Sequence, residues 1–396
     1  MLICINSKIL IRRTMKRITI AVDSFKGSLS SREVADAFEA GFRERIPTCQ
    51  VRKVSIADGG EGTVDALVET LNGDYVEARV ADPLGREIVA RYGVIDGGRT
   101  AVMEMSAASG LPLIAPEERN PLLTSTFGTG EMIAHAIERG CRKFLIGIGG
   151  SATNDGGTGM LRALGFRFLD SEGAELVGGG EILERIATID SSSARKELSE
   201  CEFIVACDVT NPLYGPEGAA YVFAPQKGAD AAMVERLDQG LRTYARAIER
   251  FNGVQVDAIA GAGAAGGLGG GFKALLGARL ERGIDMVLSA MQFDKIIAGS
   301  DLVITGEGRI DRQTTMGKAP SGVLREATAQ GIPTIAIGGA VLPCKELSES
   351  GFAAVLPIVA GPVALEVAMQ HDVACENVRR TAAQIAGLLT LKNRDK

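Results

Sequence analysis

The sequence predicts an α/β protein of two domains: an open parallel-sheet domain built from both chain ends, with a mixed α/β domain inserted between them. Three observations carry this expectation. The first and last thirds of the chain alternate short apolar runs with helix-spaced segments, the pattern of a parallel sheet covered by helices. Residues 75–105 break that rhythm by alternating apolar and polar residues, with turn signals at Asp82-Pro83-Leu84-Gly85 and Asp96-Gly97-Gly98. Such a stretch reads as an antiparallel meander of about three strands. Glycine fills 50 of 396 positions, against a usual share of about 7%, and it clusters between the apolar segments. The expected domains are residues 1–75 with 290–396, and residues 76–289.

Each element follows in order. Residues 1–14 carry an apolar stretch too short to span a membrane, without a small-residue cleavage site, and with their Arg12-Arg13 pair on the wrong side for a signal peptide. Met15 opens a cleaner start, so residues 1–14 are expected to be an upstream extension. Residues 17–22 (RITIAV) are β-branched and apolar, and read as a buried strand. The loop from Asp23 to Ser30 leads into a helix with Val34, Ala37, Phe38 and Phe42 on one face. Ser30 or Ser31 is its N-cap, with Glu33 in the first turn. Residues 51–56 form a second strand that runs into Asp58-Gly59-Gly60-Glu61-Gly62 and a helix. After the meander come a helix near 126–140, a strand at 143–148, and the loop Gly149–Gly157 before a further helix. A strand at 203–208 ends at Asp208-Val209-Thr210-Asn211. Residues 231–251 are helical in pattern, and a glycine-dense run from Gly261 to Gly271 precedes another helix. Strands at 301–305, 333–339 and 353–359 alternate with helices to the end of the chain.

Composition excludes several functions. The net charge is −6, the pI about 5.3, and there is no Trp. A duplex-binding surface carries a basic excess, and single-strand binding uses aromatic platforms, so nucleic acid is not an expected partner. No later segment is long and apolar enough for a membrane span. Seven cysteines at 4, 49, 141, 201, 207, 344 and 375 form no CxxC, and His135 and His371 are the only histidines. A disulfide framework and a zinc site are both disfavoured, and a reducing, cytoplasmic setting is expected.

One pattern bears on chemistry. Apolar strands repeatedly end in glycines mixed with Asp, Ser, Asn or Glu, and a helix begins just after. In open α/β sheets the carboxyl ends of the strands face a ligand crevice, and helix N-termini aim N–H groups at anions. These loops carry Asp23, Lys26, Asp58, Asp155, Asp208, Glu307 and Asp311. Carboxylates that hold Mg²⁺ beside groups that hold phosphate suit phosphoryl transfer; in any single loop, Gly and Asp also serve turns. In Gly149–Gly157, Asp155 is a candidate to orient a hydroxyl or bind Mg²⁺, or to form an Asx-turn and N-cap. Gly261-Ala-Gly263-Ala-Ala-Gly266 fits GxGxxG, with a short strand allowed at 254–260. It opens no evident βαβ unit, so phosphate binding, a hinge or tight helix packing compete with a dinucleotide site. No Walker A run and no GxSxG elbow occur. Lys318 is a candidate phosphate contact or a solvated side chain.

The chain resembles the bacterial glycerate kinase family, of the glycerate 2-kinase type. The matching stretches include DSFKGSLS (23–30), ADGGEGTVDAL (57–67), ADPLGR (81–86), RNPLLTSTFGTGE (119–131), IGIGGSATNDGG (146–157), VACDVTNPL (205–213), PQKGA (225–229), GAGAAGGLG (261–269) and TGEGRID (305–311). The match is looser over the last seventy residues. Gly338-Gly339-Ala340-Val341 stands where the family suggests a Gly-Ser-like turn. The resemblance implies transfer of phosphate from ATP to D-glycerate with Mg²⁺, giving 2-phosphoglycerate. It also implies a Rossmann- or flavodoxin-like parallel-sheet domain formed by both chain ends, and substrates held in a cleft between the domains.

Residue roles follow from the resemblance. Asp208, then Asp155, are the candidates to accept or orient the hydroxyl proton. Lys26 and Arg309 are the candidate cations for the glycerate carboxylate. Asp23, Asp58 and Glu307 suit Mg²⁺ or the ribose hydroxyls, with Asp155 and Glu307 the candidate metal ligands. Ser24, Gly150, Ser151, Asn154, Asn211, Gly263, Gly266 and Asp311 complete the expected substrate and ATP site. A homodimer is a candidate assembly. Competing readings are a kinase for another small hydroxy acid, a nicotinamide-dependent dehydrogenase, and a two-domain small-molecule binding protein; the acidic strand-end loops argue against the last.

Overall fold

A computed structural model describes residues 15–391; the proposed extension, residues 1–14, lies outside the described residues. In chain order the strands are β1 (Arg17–Val22), β2 (Gln50–Ser55), β3 (Asp74–Ala81), β4 (Glu87–Ile95), β5 (Thr100–Glu104), β6 (Lys143–Gly147), β7 (Arg167–Leu169), β8 (Thr188–Asp190), β9 (Glu202–Ala206), β10 (Arg279–Glu281), β11 (Leu302–Ile310), β12 (Thr334–Val341) and β13 (Ala354–Pro357). They fall into two compact units that meet in the sequence at Asp58/Gly59 and Met286/Val287. Those junctions differ from the expected 75 and 290. The helix Thr63–Leu71 packs on β4 and β5, and a Cβ on Gly93 of β4 would lie 2.3 Å from Val68 of that helix. The helix therefore joins the inserted unit, and the junction moves upstream of it.

The unit built from both chain ends is a five-stranded sheet in the order β13-β12-β11-β1-β2, and every pair in it is parallel. Numbered within the unit this is 2-1-3-4-5, the flavodoxin-like order, whose switch point lies between the first and third strands. Those strands are β1 and β11, in register from Ile18 with Leu302 to Val22 with Gly306. Ile18, Ile20 and Val22 are buried, as are Leu302 and Ile304. They share one core with Val34, Phe38 and Phe42 of the helix Ser31–Arg43, and with Val378, Ala382 and Ile385 of the helix His371–Leu389. The expected cap is present: Ser30 Oγ accepts from the Glu33 N–H while Glu33 accepts from the Ser30 N–H at 2.8 Å. The expected strand at 301–305 runs on to Ile310, because Glu307, Arg309 and Ile310 continue to pair with β12. Gly338–Val341 is likewise strand, not turn.

The inserted unit carries a six-stranded mixed sheet, β10-β9-β6-β5-β4-β3. β5 pairs antiparallel with β4 and parallel with β6, so the meander is one edge of a larger sheet. The parallel strands β5, β6, β9 and β10 send their following loops to one edge. A small pair, β7 with β8, and the short β10 had no clear sequence signal. The stretch expected as a strand at 254–260 forms a 3₁₀ turn, Val256–Ala258. No helix among the described residues is long and apolar enough to cross a membrane.

In the first unit the helices Ser31–Arg43 and His371–Leu389 cross closely at Gly41, where an added Cβ would sit 1.9 Å from the Arg379 carbonyl oxygen. A backbone oxygen cannot rotate away. Gly41→Ala is expected to cost about 1–3 kcal/mol of stability by overpacking, read as a lower urea midpoint with an unchanged slope.

Candidate active site

The candidate residues divide between the two units. In the first, Asp23 follows β1, and its N–H donates to the Gly306 carbonyl of β11 at 2.9 Å. This bond fixes Asp23 at the switch point. A cavity of about 810 Å³ opens there, lined at its polar end by Asp23, Ser24, Lys26, Asp58, Glu307, Arg309 and Lys318. Asp23 is buried, and one oxygen accepts the Ser24 N–H at 2.6 Å. Burial, with the Asp58 carboxylate next, pushes its carboxyl up to about 7. Glu307 is buried too, and accepts from Thr314 Oγ1 at 2.6 Å with Lys318 Nζ at 3.8 Å. Burial raises its carboxyl above the ordinary range, against the pull of Thr314 and Lys318. A desolvated carboxylate of this kind is stabilised by an arriving cation.

Asp311 does not line the cavity. Its carboxylate caps the 3₁₀ turn Arg312–Met316 through Gln313 N–H at 2.8 Å and pairs with Arg309 at 3.2 Å. Its expected ligand role is thus replaced by a cap that positions Arg309. Among the described residues no group of three or more His, Cys, Asp or Glu side chains is arranged to hold a metal by itself. Mg²⁺ commonly takes one or two carboxylates and completes its shell with water and substrate phosphate. Asp58 and Glu307 at the polar end fit that habit.

In the inserted unit the loop after β6 turns inward. Asp155 is fully buried, and one of its oxygens accepts from Thr126 N–H and Thr126 Oγ1, both at 2.8 Å, and from Gly159 N–H at 3.1 Å. The other accepts from Gly157 N–H at 3.1 Å. Four donors and no solvent access make it a structural carboxylate, in place of the expected catalytic and metal roles. It ties together the starts of the helices Phe127–Glu138 and Thr158–Ala163. Ser151 and Asn154 are also buried, and neither amide atom of Asn154 meets a partner among the described residues. Gly150 lies at the surface in a left-handed turn.

The glycine-dense segment underpins this loop. A Cβ on Gly266 would lie 2.1 Å from the Thr153 carbonyl, and one on Gly263 would lie 2.2 Å from that of Pro212. Close backbone passage accounts for both glycines without a ligand contact. Asp208, past the end of β9, is exposed and accepts from Gly283 N–H at 3.0 Å. Asn211 braces its own loop, donating to the Glu217 carbonyl at 2.8 Å.

The profile of the glycerate kinase family matches residues 18–390 of this chain. The chain belongs to the glycerate kinase family. That family makes it a phosphotransferase with an alcohol group as acceptor. It is 49% identical to the glycerate kinase of Bacillus subtilis (strain 168), over 95% of this chain and 98% of that protein. It is 44% identical to the glycerate 2-kinase of Escherichia coli (strain K12), over 96% and 99% respectively. The crystal structure of a protein assigned as glycerate kinase 2 from Salmonella typhimurium LT2 superposes with a TM-score of 0.87 at 48% identity, covering 95% of this chain and 98% of that one. The family match extends through the last seventy residues, where the motif resemblance was loose.

One residue of this glycerate kinase family member escaped sequence reasoning. Lys227 is 1% exposed, and its Nζ donates to Ser151 Oγ at 2.7 Å and to the Thr153 carbonyl at 2.6 Å. Burial pushes its amine down to about 7, opposed by the Asp155 carboxylate. The only hint was its place within the PQKGA stretch. Lys227 and Asp155 together hold the loop 149–157 as a fixed body. Asp155→Asn would turn an amide N–H toward the Thr126 and Gly159 donors. A loss of about 2–4 kcal/mol in unfolding free energy is expected, measured by chemical denaturation; undiminished stability would return Asp155 to the list of catalytic candidates.

Proposed function

We propose that this protein transfers the γ-phosphoryl group of ATP to D-glycerate, with Mg²⁺, giving 2-phosphoglycerate. The observation that carries the reading is the meeting of Asp23, Asp58 and Glu307 with Lys26, Arg309 and Lys318 at the strand ends of one parallel sheet. Acidic groups for a cation beside basic groups for phosphate are what phosphoryl transfer needs, since catalysis there is mostly positioning and charge neutralisation. The names of the relatives support glycerate as acceptor, and the Escherichia coli relative's name supports the 2-hydroxyl. A cytoplasmic setting fits ATP as donor and the unbridged Cys49, Cys141, Cys201, Cys207, Cys344 and Cys375.

The chain's own residues then take these parts. Lys26 and Lys318 hold the phosphates, and Arg309, steadied by Asp311, faces the acceptor carboxylate. Mg²⁺, held by Asp58 and Glu307, would neutralise charge on the donor phosphate oxygens. The acceptor oxygen attacks the γ-phosphorus, the bond to the bridging oxygen of ADP breaks, and the hydroxyl proton passes to a carboxylate. We assign that proton to Asp23 in place of Asp208. A base works best when its pKa lies near the working pH, and burial brings Asp23 there. Because the charged carboxylate is the base, the rate should climb as pH rises through the titration of Asp23, which burial sets above the ordinary carboxylate range.

Phosphorus NMR with D-glycerate, ATP and Mg²⁺ is expected to give a signal coinciding with authentic 2-phosphoglycerate; 3-phosphoglycerate, or turnover only of another hydroxy acid, would overturn the assignment. Asp23→Asn should lower turnover about 10²–10⁴-fold and remove the acid limb of the pH profile. If Asp208→Asn removes that limb and Asp23→Asn keeps it, Asp208 is the base.

A further inference from the structure

The strand-end cavity has apolar lining residues that the chemistry above leaves unused. Beside its charged residues the cavity is lined by apolar ones, among them Phe25, Leu342, Val359, Val363, Leu365 and Met369. Val363 and Leu365 are 53% and 67% exposed. They lie on the segment between β13 and the helix His371–Leu389, which also contains the short helix Leu365–Ala368. Exposed aliphatic side chains gathered on one wall of a concave site are the usual mark of an apolar ligand surface.

Glycerate cannot be what that wall is for. It is a three-carbon hydroxy acid whose every carbon bears oxygen, so it offers no apolar surface to bury. Its volume is also far below the 810 Å³ of the cavity. The other substrate has the complementary make-up: a flat heterocycle and ribose at one end, a polyanion at the other. These side chains carry no nitrogen or oxygen, whereas Lys26, Arg309 and Lys318 line the same cavity. The apolar and the anionic parts of a nucleoside triphosphate therefore both find partners in one cavity. The location agrees with the switch-point rule for open parallel sheets.

We propose that the parallel-sheet unit is the nucleotide-binding unit, with the nucleoside of the phosphoryl donor seated on the wall formed by Val359, Val363, Leu365 and Met369. This rests on the kinase reading above and adds which part of the chain takes which substrate. Leu365 and Val363 act as binding residues for the base and ribose, and the transferred phosphate points toward Asp23.

Leu365→Asp and Val363→Asp place a charge on this wall at exposed positions where folding does not depend on the side chain. Two readouts test them on the full chain: the Kd for ADP by calorimetry without glycerate, and KM for ATP and for glycerate, each at saturating co-substrate. Both variants are expected to weaken ADP and raise KM for ATP about tenfold or more, with KM for glycerate unchanged and Leu365→Met close to the native protein. Unchanged ADP affinity in both variants, or a rise confined to glycerate KM, would overturn the proposal. Because the ADP measurement needs no turnover, loss of the kinase reading and loss of this assignment give different results.

Discussion

The parallel pairing of β1 with β11 is the constraint on which the rest depends. It joins Ile18 to Leu302 and Val22 to Gly306, strands separated in the chain by the whole inserted unit. Closing so long a loop costs entropy, though the cost grows only slowly with length. The return comes from burial: Ile18, Ile20, Leu302 and Ile304 are fully buried, and helices from both ends of the chain cover them. The same pairing makes the site. It sets Asp23 and Glu307 at the ends of adjacent strands, and the Asp23 N–H to Gly306 bond extends the ladder one step further. Two carboxylates are thereby set where water is scarce, and burial raises both above the ordinary range despite the pull of Lys26 on one and of Thr314 and Lys318 on the other. Shifts of that kind are common where a fold serves chemistry.

The inserted unit solves a different problem. Its loop after β6 is rich in polar groups, yet it is turned into the interior. Asp155 answers two helix starts, Lys227 answers Ser151 and Thr153, and Gly266 lets the backbone pass beneath. Removing Asp155 or Lys227 leaves buried groups without their partners, and a side chain at Gly266 would strike the Thr153 carbonyl. The loop is therefore held as a rigid piece, and the residues left at its surface, with Asp208 and Asn211 nearby on the next loop, are presented without freedom to rearrange.

Much of this was legible from the residues. The β-branched runs announce β1, β6, β9 and β12, because buried parallel strands need continuous apolar stretches. The grouping of Asp23, Lys26, Asp58, Glu307 and Arg309 follows from one rule about strand ends. What could not be read depended on distant partners. Nothing in Gly149–Gly157 tells that Thr126 supplies two donors to Asp155, so a buried, bonded carboxylate looked like a catalytic one. Lys227 gives no sign of burial, since lysine is rarely interior. The extension of β11 through Glu307 to Ile310 was hidden by its glycines, which resemble a loop until β12 is present to pair with them. The junction near residue 58 was missed because helix Thr63–Leu71 has the same local pattern whichever sheet it covers.

The central claim is that the crevice between β1 and β11 is where phosphate is bound and transferred. Hydrogen exchange of the backbone amides, with and without ADP and Mg²⁺, tests this most directly. The account predicts slowed exchange at Ser24–Ser28 and at Glu307–Arg309, with the already buried amides of Asn154–Thr158 unaltered. Slowed exchange confined to the loops after β6 and β9, with residues 24–28 unaffected, would contradict it.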